Sequence, residues 1–223
     1  MLSATAENYV KQLYLIGGKR TSATATTQSV ADALHVTPAS ATGMLQRLAE
    51  LHLVEYTAYH GATLTAQGRD RALALVRRHR LLELFLHRVL GYALDEVHDE
   101  AEALEHAISE KFEARIDALL GHPEFDPHGD PIPRQSGEMP DRAGIALSAV
   151  EDGAIVRVLR IPGEGSLLAS LAKLGVTPGQ SCRVLKVDPA LGVISLVVSG
   201  KVVSLSAGAA DQVLVEPDSE AAR

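Results

Sequence analysis

The three residues His35-Val36-Thr37, followed at once by Pro38, constrain the fold of this chain more than any other stretch, because they place a tight turn between two runs of helical periodicity. Before the turn, about Gln28 to Leu34 reads as a short helix that Thr27 can cap. After it, Thr37 takes the N-cap position and Pro38 the first helical position, where a missing N–H is no loss. In the following helix Ala41, Met44, Leu45 and Leu48 recur at the spacing of one buried face. Ser40, Gly43 and Arg47 fall on the opposite face, with Thr42 and Gln46 beside them. An earlier helix, Ser3 to Ile16, carries Ala6, Val10, Leu13 and Tyr14 as its apolar stripe, turns Asn8 and Lys11 away from it, and ends at Gly17-Gly18. Two strand-like runs, Leu53-Val54-Glu55-Tyr56 and Thr63-Leu64-Thr65, follow the turn-linked pair and are joined through His60-Gly61. Helix, turn, helix and hairpin in this order predict a winged helix, whose second helix of the pair enters a DNA major groove.

The net charge of −7 argues against nucleic acid only until its distribution is read. Residues 1–80 carry +4, 81–150 carry −10 and 151–223 carry −1. A basic first module suits DNA and an acidic middle suits cations. Within that middle, Ala66 to roughly Leu90 reads as one long helix with apolar residues on more than one face. His79 and Glu83, four residues apart on it, stand one turn above the other. Asp99 to Leu120 reads as a further helix, with Leu104, Ile108, Phe112, Ile116 and Leu119 as its buried stripe. At about 100° per residue, His98, Glu102, Glu105 and His106 would share an arc of roughly 100°. Two imidazoles and two carboxylates on one helix face make a ligand-dense surface, and these two helices are the natural dimerisation module.

From Gly121 to about Ser148 the chain is rich in Pro, Gly, Asp and His and reads as a linker. Beyond it, Val- and Leu-rich runs at 154–161, 182–187, 193–198, 201–205 and 212–216, separated by Gly or Pro turns, predict a small β-barrel. Gly163-Glu164-Gly165-Ser166 lacks the lysine of a phosphate-binding loop. The single cysteine, Cys182, excludes an intramolecular disulfide framework and a cysteine-based zinc cluster. No basic segment precedes an apolar run at the N-terminus, and no 18 consecutive apolar residues occur, so a soluble cytoplasmic protein without membrane contact is expected.

At these residues the sequence resembles the diphtheria toxin repressor family of metal-dependent transcriptional regulators. The resemblance rests on Leu64-Thr65-x-x-Gly68 through Arg78-His79-Arg80-Leu81-Leu82-Glu83, on Val97-His98-Asp99-Glu100-Ala101 with Leu104-Glu105-His106, and on Gly121-His122-Pro123 through Pro127-His128-Gly129-Asp130-Pro131-Ile132-Pro133. It implies an α+β protein with a winged-helix DNA-binding domain at 1–70, a helical dimerisation and metal-binding domain at 71–140, and an SH3-like barrel at 148–218. It also implies a primary, activating metal site at Asn8, Glu102, Glu105 and His106. An ancillary site would use His79, Glu83 and His98, with Glu164 as the barrel's candidate ligand. Iron sensors of the family carry a cysteine and a methionine where this chain has Glu102 and Asn8, and manganese sensors usually carry carboxylates at Asn8 and Lys11. The oxygen and nitrogen donors favour Mn²⁺, with Fe²⁺ as the alternative, while Zn²⁺ and other divalent ions later in the affinity order should bind tightly in vitro.

The function so implied is a homodimeric repressor that binds double-stranded operator DNA when metal-loaded and represses metal-uptake genes. Thr37, Pro38, Ala39, Ser40, Thr42, Gly43 and Arg47 are its expected DNA-contacting residues. A metallohydrolase could use the same donors to activate water, but His-Glu-x-x-His is missing and no nucleophile stands out. A winged-helix regulator indifferent to metal is a third alternative, separable by whether the metal-free protein binds its operator as tightly as the loaded one.

Overall fold

The computed structural model describes residues 2–17 and 24–218; Gly18, expected to help end the first helix, lies outside them. The chain divides into two compact units, Met1–His79 with Pro133–Glu138, and Arg80–Ile132 with Met139–Arg223.

In the first unit, α1 (Ala4–Gly17) buries Ala6, Val10, Leu13 and Tyr14 as its periodicity predicts, and Tyr9 with them. Lys11 departs from expectation. It is 5% exposed, and its Nζ lies 3.4 Å from His79 Nδ1, because a long aliphatic stem can be buried where its head finds an acceptor. The next helix, α2 (Thr27–Ala33), starts one residue earlier than predicted: Thr26, not Thr27, is the cap, its Oγ1 accepting from Ser29 N at 3.0 Å. The pair is completed by α3 (Pro38–Glu50), which begins where expected, with Thr37 Oγ1 accepting from Ser40 N at 3.2 Å. Ala41, Leu45 and Leu48 are fully buried. Each such leucine contributes about 2 kcal/mol over an exposed one, so this face anchors the helix and leaves the other open. The wing is β1 (Val54–Thr57) and β2 (Gly61–Leu64), antiparallel from Val54↔Leu64 to Thr57↔Gly61, with Ala25 bridged to Ala62 as a third edge. The long helix α4 (Ala66–Leu90) is uninterrupted, and its residues up to His79 belong to this unit.

The second unit has a helical part and a sheet. Leu81, Leu82, Leu84 and Leu86 of α4 pack with Val97, Ala101, Ile116 and Ile132. The single helix expected over Asp99–Leu120 is instead two, α5 (Val97–Leu104) and α6 (Glu110–Leu119). Ser109 causes the break: its Oγ accepts from Phe112 N at 3.2 Å, and Glu110 and Glu113 in the first turn suit a helix start. Of the predicted stripe Ile116 is buried, whereas Phe112 and Leu119 are 47% and 65% exposed.

The segment after α6 is no loose linker. Phe125 bridges Pro131, and Asp126, Pro127, His128, Gly129 and Ile132 are buried. The prolines restrict this loop rather than release it. The sheet that follows has an SH3-like form and six antiparallel strands, β3 (Ile145–Ala146), β4 (Ile155–Arg160), β5 (Ser181–Asp188), β6 (Val193–Val198), β7 (Lys201–Ser206) and β8 (Leu214–Pro217). Their spatial order is β3-β8-β4-β5-β6-β7. Alternation drives its core: Ile194, Leu196 and Val198 of β6 are buried at every second position. Between β4 and β5 lies α7 (Gly165–Leu174), which the sequence reading did not anticipate and which adds Leu168 and Leu171 to that core. The short α8 (Ala207–Ala210) precedes β8. Cys182 is sealed among these strands, where burial pushes its thiol up to about 11.

Candidate metal centre

Glu83 on α4 is only 3% exposed, and a buried carboxylate must find compensation. Its two oxygens face different partners. Oε1 lies 3.4 Å from His98 Nδ1, and Oε2 lies 3.9 Å from His128 Nδ1. His98, in the first turn of α5, turns its other nitrogen to Glu164: Nε2 and Oε2 are 3.3 Å apart. Glu164 sits at the start of α7 with its side chain mostly exposed, so the barrel part of this unit reaches the helical part here. His79 stands one turn before Glu83 on the continuous α4 and is buried, with Lys11 at its Nδ1.

The loop after α6 closes on Glu83 from another side. Asp126 Oδ1 accepts the backbone N–H groups of His128 and Asp130, each at 2.9 Å, which tightens the loop into a turn. Burial, and then the nearby Glu83, hold the Asp126 carboxyl well above the usual carboxylate range, and Asp130 adds to this; Arg80, its Nε 3.7 Å from Oδ2, pulls the other way. Arg80 also donates to the Pro131 carbonyl. His128 Nε2 lies 3.0 Å from the Leu94 carbonyl oxygen, which can only accept, so Nε2 carries a proton and Nδ1 faces Glu83. Gly129 has φ 90°, and a Cβ there would collide with the Leu159 carbonyl. Ile161 N donates to His128 O at 3.0 Å, tying the loop to the end of β4. One ligand atom each from Glu83, Asp126 and His128 lie within 4.8 Å of one another, all three residues being buried. Sequence reasoning quoted this stretch for its resemblance but assigned Asp126 and His128 no role. The readable signal was an acid-imidazole-acid alternation, Asp126-x-His128-x-Asp130, in a segment too rich in Pro and Gly to be helical.

The other expected ligands are arranged differently from the predicted arc. Because α5 stops at Leu104, Glu105 and His106 are carried in the turn that follows, and His98, Glu102, Glu105 and His106 do not share one helix face. Glu105 is completely buried, its N–H still bonded to Ala101 O at 2.9 Å, and its Oε1 lies 3.5 Å from His106 Nε2. Glu102 is exposed on α5. Asn8 is half-buried on α1 of the first unit. Thus Glu105 meets His106, and Glu83 meets His98, which meets Glu164. All of these are hard oxygen or borderline nitrogen donors, the set a divalent first-row cation takes.

On α3 the residues expected to face DNA are open: Thr37, Pro38, Ala39, Ser40, Gly43 and Arg47 are exposed and Thr42 is half-buried. The Thr37 hydroxyl is engaged by the cap and lies 2.9 Å from Ser40 Oγ, so its first task is to start the helix.

Three family models match the chain in succession: the iron dependent repressor N-terminal DNA binding domain over 1–62, the iron dependent repressor metal binding and dimerisation domain over 65–134, and the FeoA domain over 145–217. The iron-dependent repressor IdeR of Mycobacterium leprae is 28% identical over 95% of this chain and 96% of its own length. The regulator MntR of Bacillus subtilis is 33% identical over 56% of this chain and 87% of its own. A solved manganese-dependent transcriptional repressor in complex with manganese is 40% identical, with TM-score 0.82, over 96% of this chain and all of that one.

Proposed function

This chain belongs to the iron-dependent repressor family of metal-dependent, DNA-binding transcriptional repressors, and on that premise we propose that it is a Mn²⁺-activated repressor of metal-uptake genes. Donor chemistry carries the choice of ion. The buried carboxylates Glu83 and Glu105 face imidazoles, and the chain's one thiol is sealed inside the barrel with its proton held tightly. Such a set gives no preference to thiophilic metals. Relatives named for manganese regulation support the same choice.

The primary site is assigned to Asn8, Glu102, Glu105 and His106, and the ancillary site to His79, Glu83, His98 and Glu164. The modules are taken as 1–70 for DNA binding, 71–140 for dimerisation and metal, and 148–218 for the barrel. A bound divalent ion supplies the positive charge that offsets these buried carboxylates. Asn8 then contributes a neutral carbonyl oxygen from α1, while Lys11 has no acceptor to offer and instead orients the His79 ring. Exposed Phe112 and Leu119 on α6 and Val89 and Leu90 at the end of α4 support a homodimer built on these helices. In that homodimer two α3 helices, fixed about one DNA turn apart, enter successive major grooves of an operator in the cytoplasm. Ser40, Thr42, Gly43 and Arg47, with Thr37, Pro38 and Ala39 at the helix start, supply the contacts.

One observation favours a second reading, an Fe²⁺-dependent repressor: a relative that spans nearly all of this chain is named for iron, and Fe²⁺ accepts the same donors. A reporter driven by the operator, with Mn and Fe supplied separately against chelator controls, separates the two. Repression by Mn²⁺, moved toward Fe²⁺ or Zn²⁺ in Glu102→Cys, is the expected result. Repression by iron and none by manganese would promote the second reading.

A further inference from the structure

We propose that the cleft bordered by α1, α3 and α4 seats a phosphate of the operator backbone, with Arg71 of α4 as its cation. The occupant is the sugar-phosphate strand beside the groove that α3 enters, so the inference rests on the DNA-binding reading and extends it to residues outside α3.

Exposed charge is the starting observation. Among the described residues up to position 80, Arg47 and Arg71 are the basic side chains that stand exposed. Lys11, Arg69 and Arg77 are engaged within the protein instead: Lys11 lies against His79, Arg69 sits 5.1 Å over the Tyr14 ring, and Arg77 donates to the Pro133 carbonyl at 2.9 Å. Arg47 and Arg71 come from different helices, yet both border one cleft of about 320 Å³. Two guanidinium groups at one cleft repel each other, and an anion between them replaces that repulsion with attraction. Among the described residues that line the cleft none is acidic.

The surroundings suit a phosphodiester. Ala6 of α1, Leu48 of α3 and Leu53 ahead of β1 give the cleft a buried apolar floor, so its polar groups are carried by packed elements. Gln67 and Arg71 stand one turn apart on α4 and share a face. Ser3 Oγ accepts from Ala6 N at 3.3 Å, which leaves its hydroxyl hydrogen to donate. Guanidinium, side-chain amide and hydroxyl are the donors that grip phosphate oxygens and set the register of a recognition helix. α3 holds one basic residue of its own, Arg47, so a second backbone contact has to come from another element. Arg47 also lies on the outer face of α3 with Ser40 and Gly43, which makes the cleft continuous with the surface expected in the major groove. All of these residues belong to the first compact unit.

The test uses the full-length, Mn²⁺-saturated chain. Its affinity for a duplex selected from a random pool, and for a scrambled duplex, is measured by fluorescence anisotropy across a salt series, with circular dichroism confirming the fold of each variant. Arg71→Ala should weaken both complexes by the same factor, about tenfold at about 0.1 M salt, and make the slope of log affinity against log salt shallower by about one. Arg71→Lys keeps the charge and should restore the slope. Should the alanine variant not fold, Arg71→Gln, which keeps most of the stem, gives the same reading. If the unaltered chain binds neither duplex, the DNA-binding reading falls and this inference with it. If it binds and folded Arg71→Ala keeps the unaltered slope and affinity, this inference alone is overturned and the cleft is left to a free anion. A loss confined to the selected duplex at unchanged slope would put Arg71 on a base edge and overturn the backbone seat as well.

Discussion

Glu105 and Glu83 set the chemistry at the scale of single residues. Removing a carboxylate from water without a partner costs several kcal/mol, and each of these is buried against an imidazole: Glu105 against His106, Glu83 against His98. Glu105→Gln keeps the volume and removes the charge, and His106→Ala removes the paired imidazole. Both should abolish metal-activated DNA binding while circular dichroism shows the fold retained, with Glu105→Gln melting near the unaltered protein and His106→Ala, which takes that imidazole from the buried Glu105 carboxylate, melting below it. Calorimetric Mn²⁺ titration with a gel shift reads this, and a metal-dependent shift surviving in both variants would remove the primary-site assignment. Some of this was legible in the sequence, because the i, i+4 spacing of His79 and Glu83 is a local rule that needs only a helix. Asp126 and His128 were not. Their place at Glu83 depends on a turn closed by Asp126 itself and on the distant carbonyls of Leu94 and Leu159, none of which leaves a periodic trace.

At the scale of elements, the helix pair and the break after α5 give opposite lessons. The start of α3 was readable from Thr37 and Pro38 because capping chemistry is confined to four residues. The α5–α6 break was not read, because Leu104, Ile108 and Ile116 continue a helical period across it, and Ser109 looks like any polar residue until its hydroxyl is seen on Phe112 N. Periodicity reports burial, not continuity. The recognition face of α3 holds one strongly basic residue, Arg47, exposed beside Gly43 and Ser40. Arg47→Ala should weaken operator binding and lower the slope of log affinity against log salt by about one if it neutralises a phosphate. Fluorescence anisotropy across a salt series measures this, and an unchanged slope with relaxed sequence preference would instead place Arg47 on a base edge.

Across the whole molecule, charge separates the two tasks: residues 1–80 carry +4 and residues 81–150 carry −10. That separation was legible in composition alone, and the succession of winged helix, helical module and small barrel in caps, periodicity and turn residues. The contact of Glu164 with His98 was anticipated only through a resemblance, since nothing in the spacing of two residues 66 positions apart makes them neighbours. Metal and DNA binding are linked in this account, so each must tighten the other by the same factor. The most direct test is the affinity of the protein for a duplex selected from a random pool by the metal-loaded form, measured at fixed salt as free Mn²⁺ is raised from zero. Binding should be weak without metal and should rise at least about tenfold as Mn²⁺ saturates, a rise lost in His106→Ala. Metal-free protein that binds the same duplex as tightly as the loaded form would contradict it, and would make this a winged-helix regulator in which the acidic helices carry no signal.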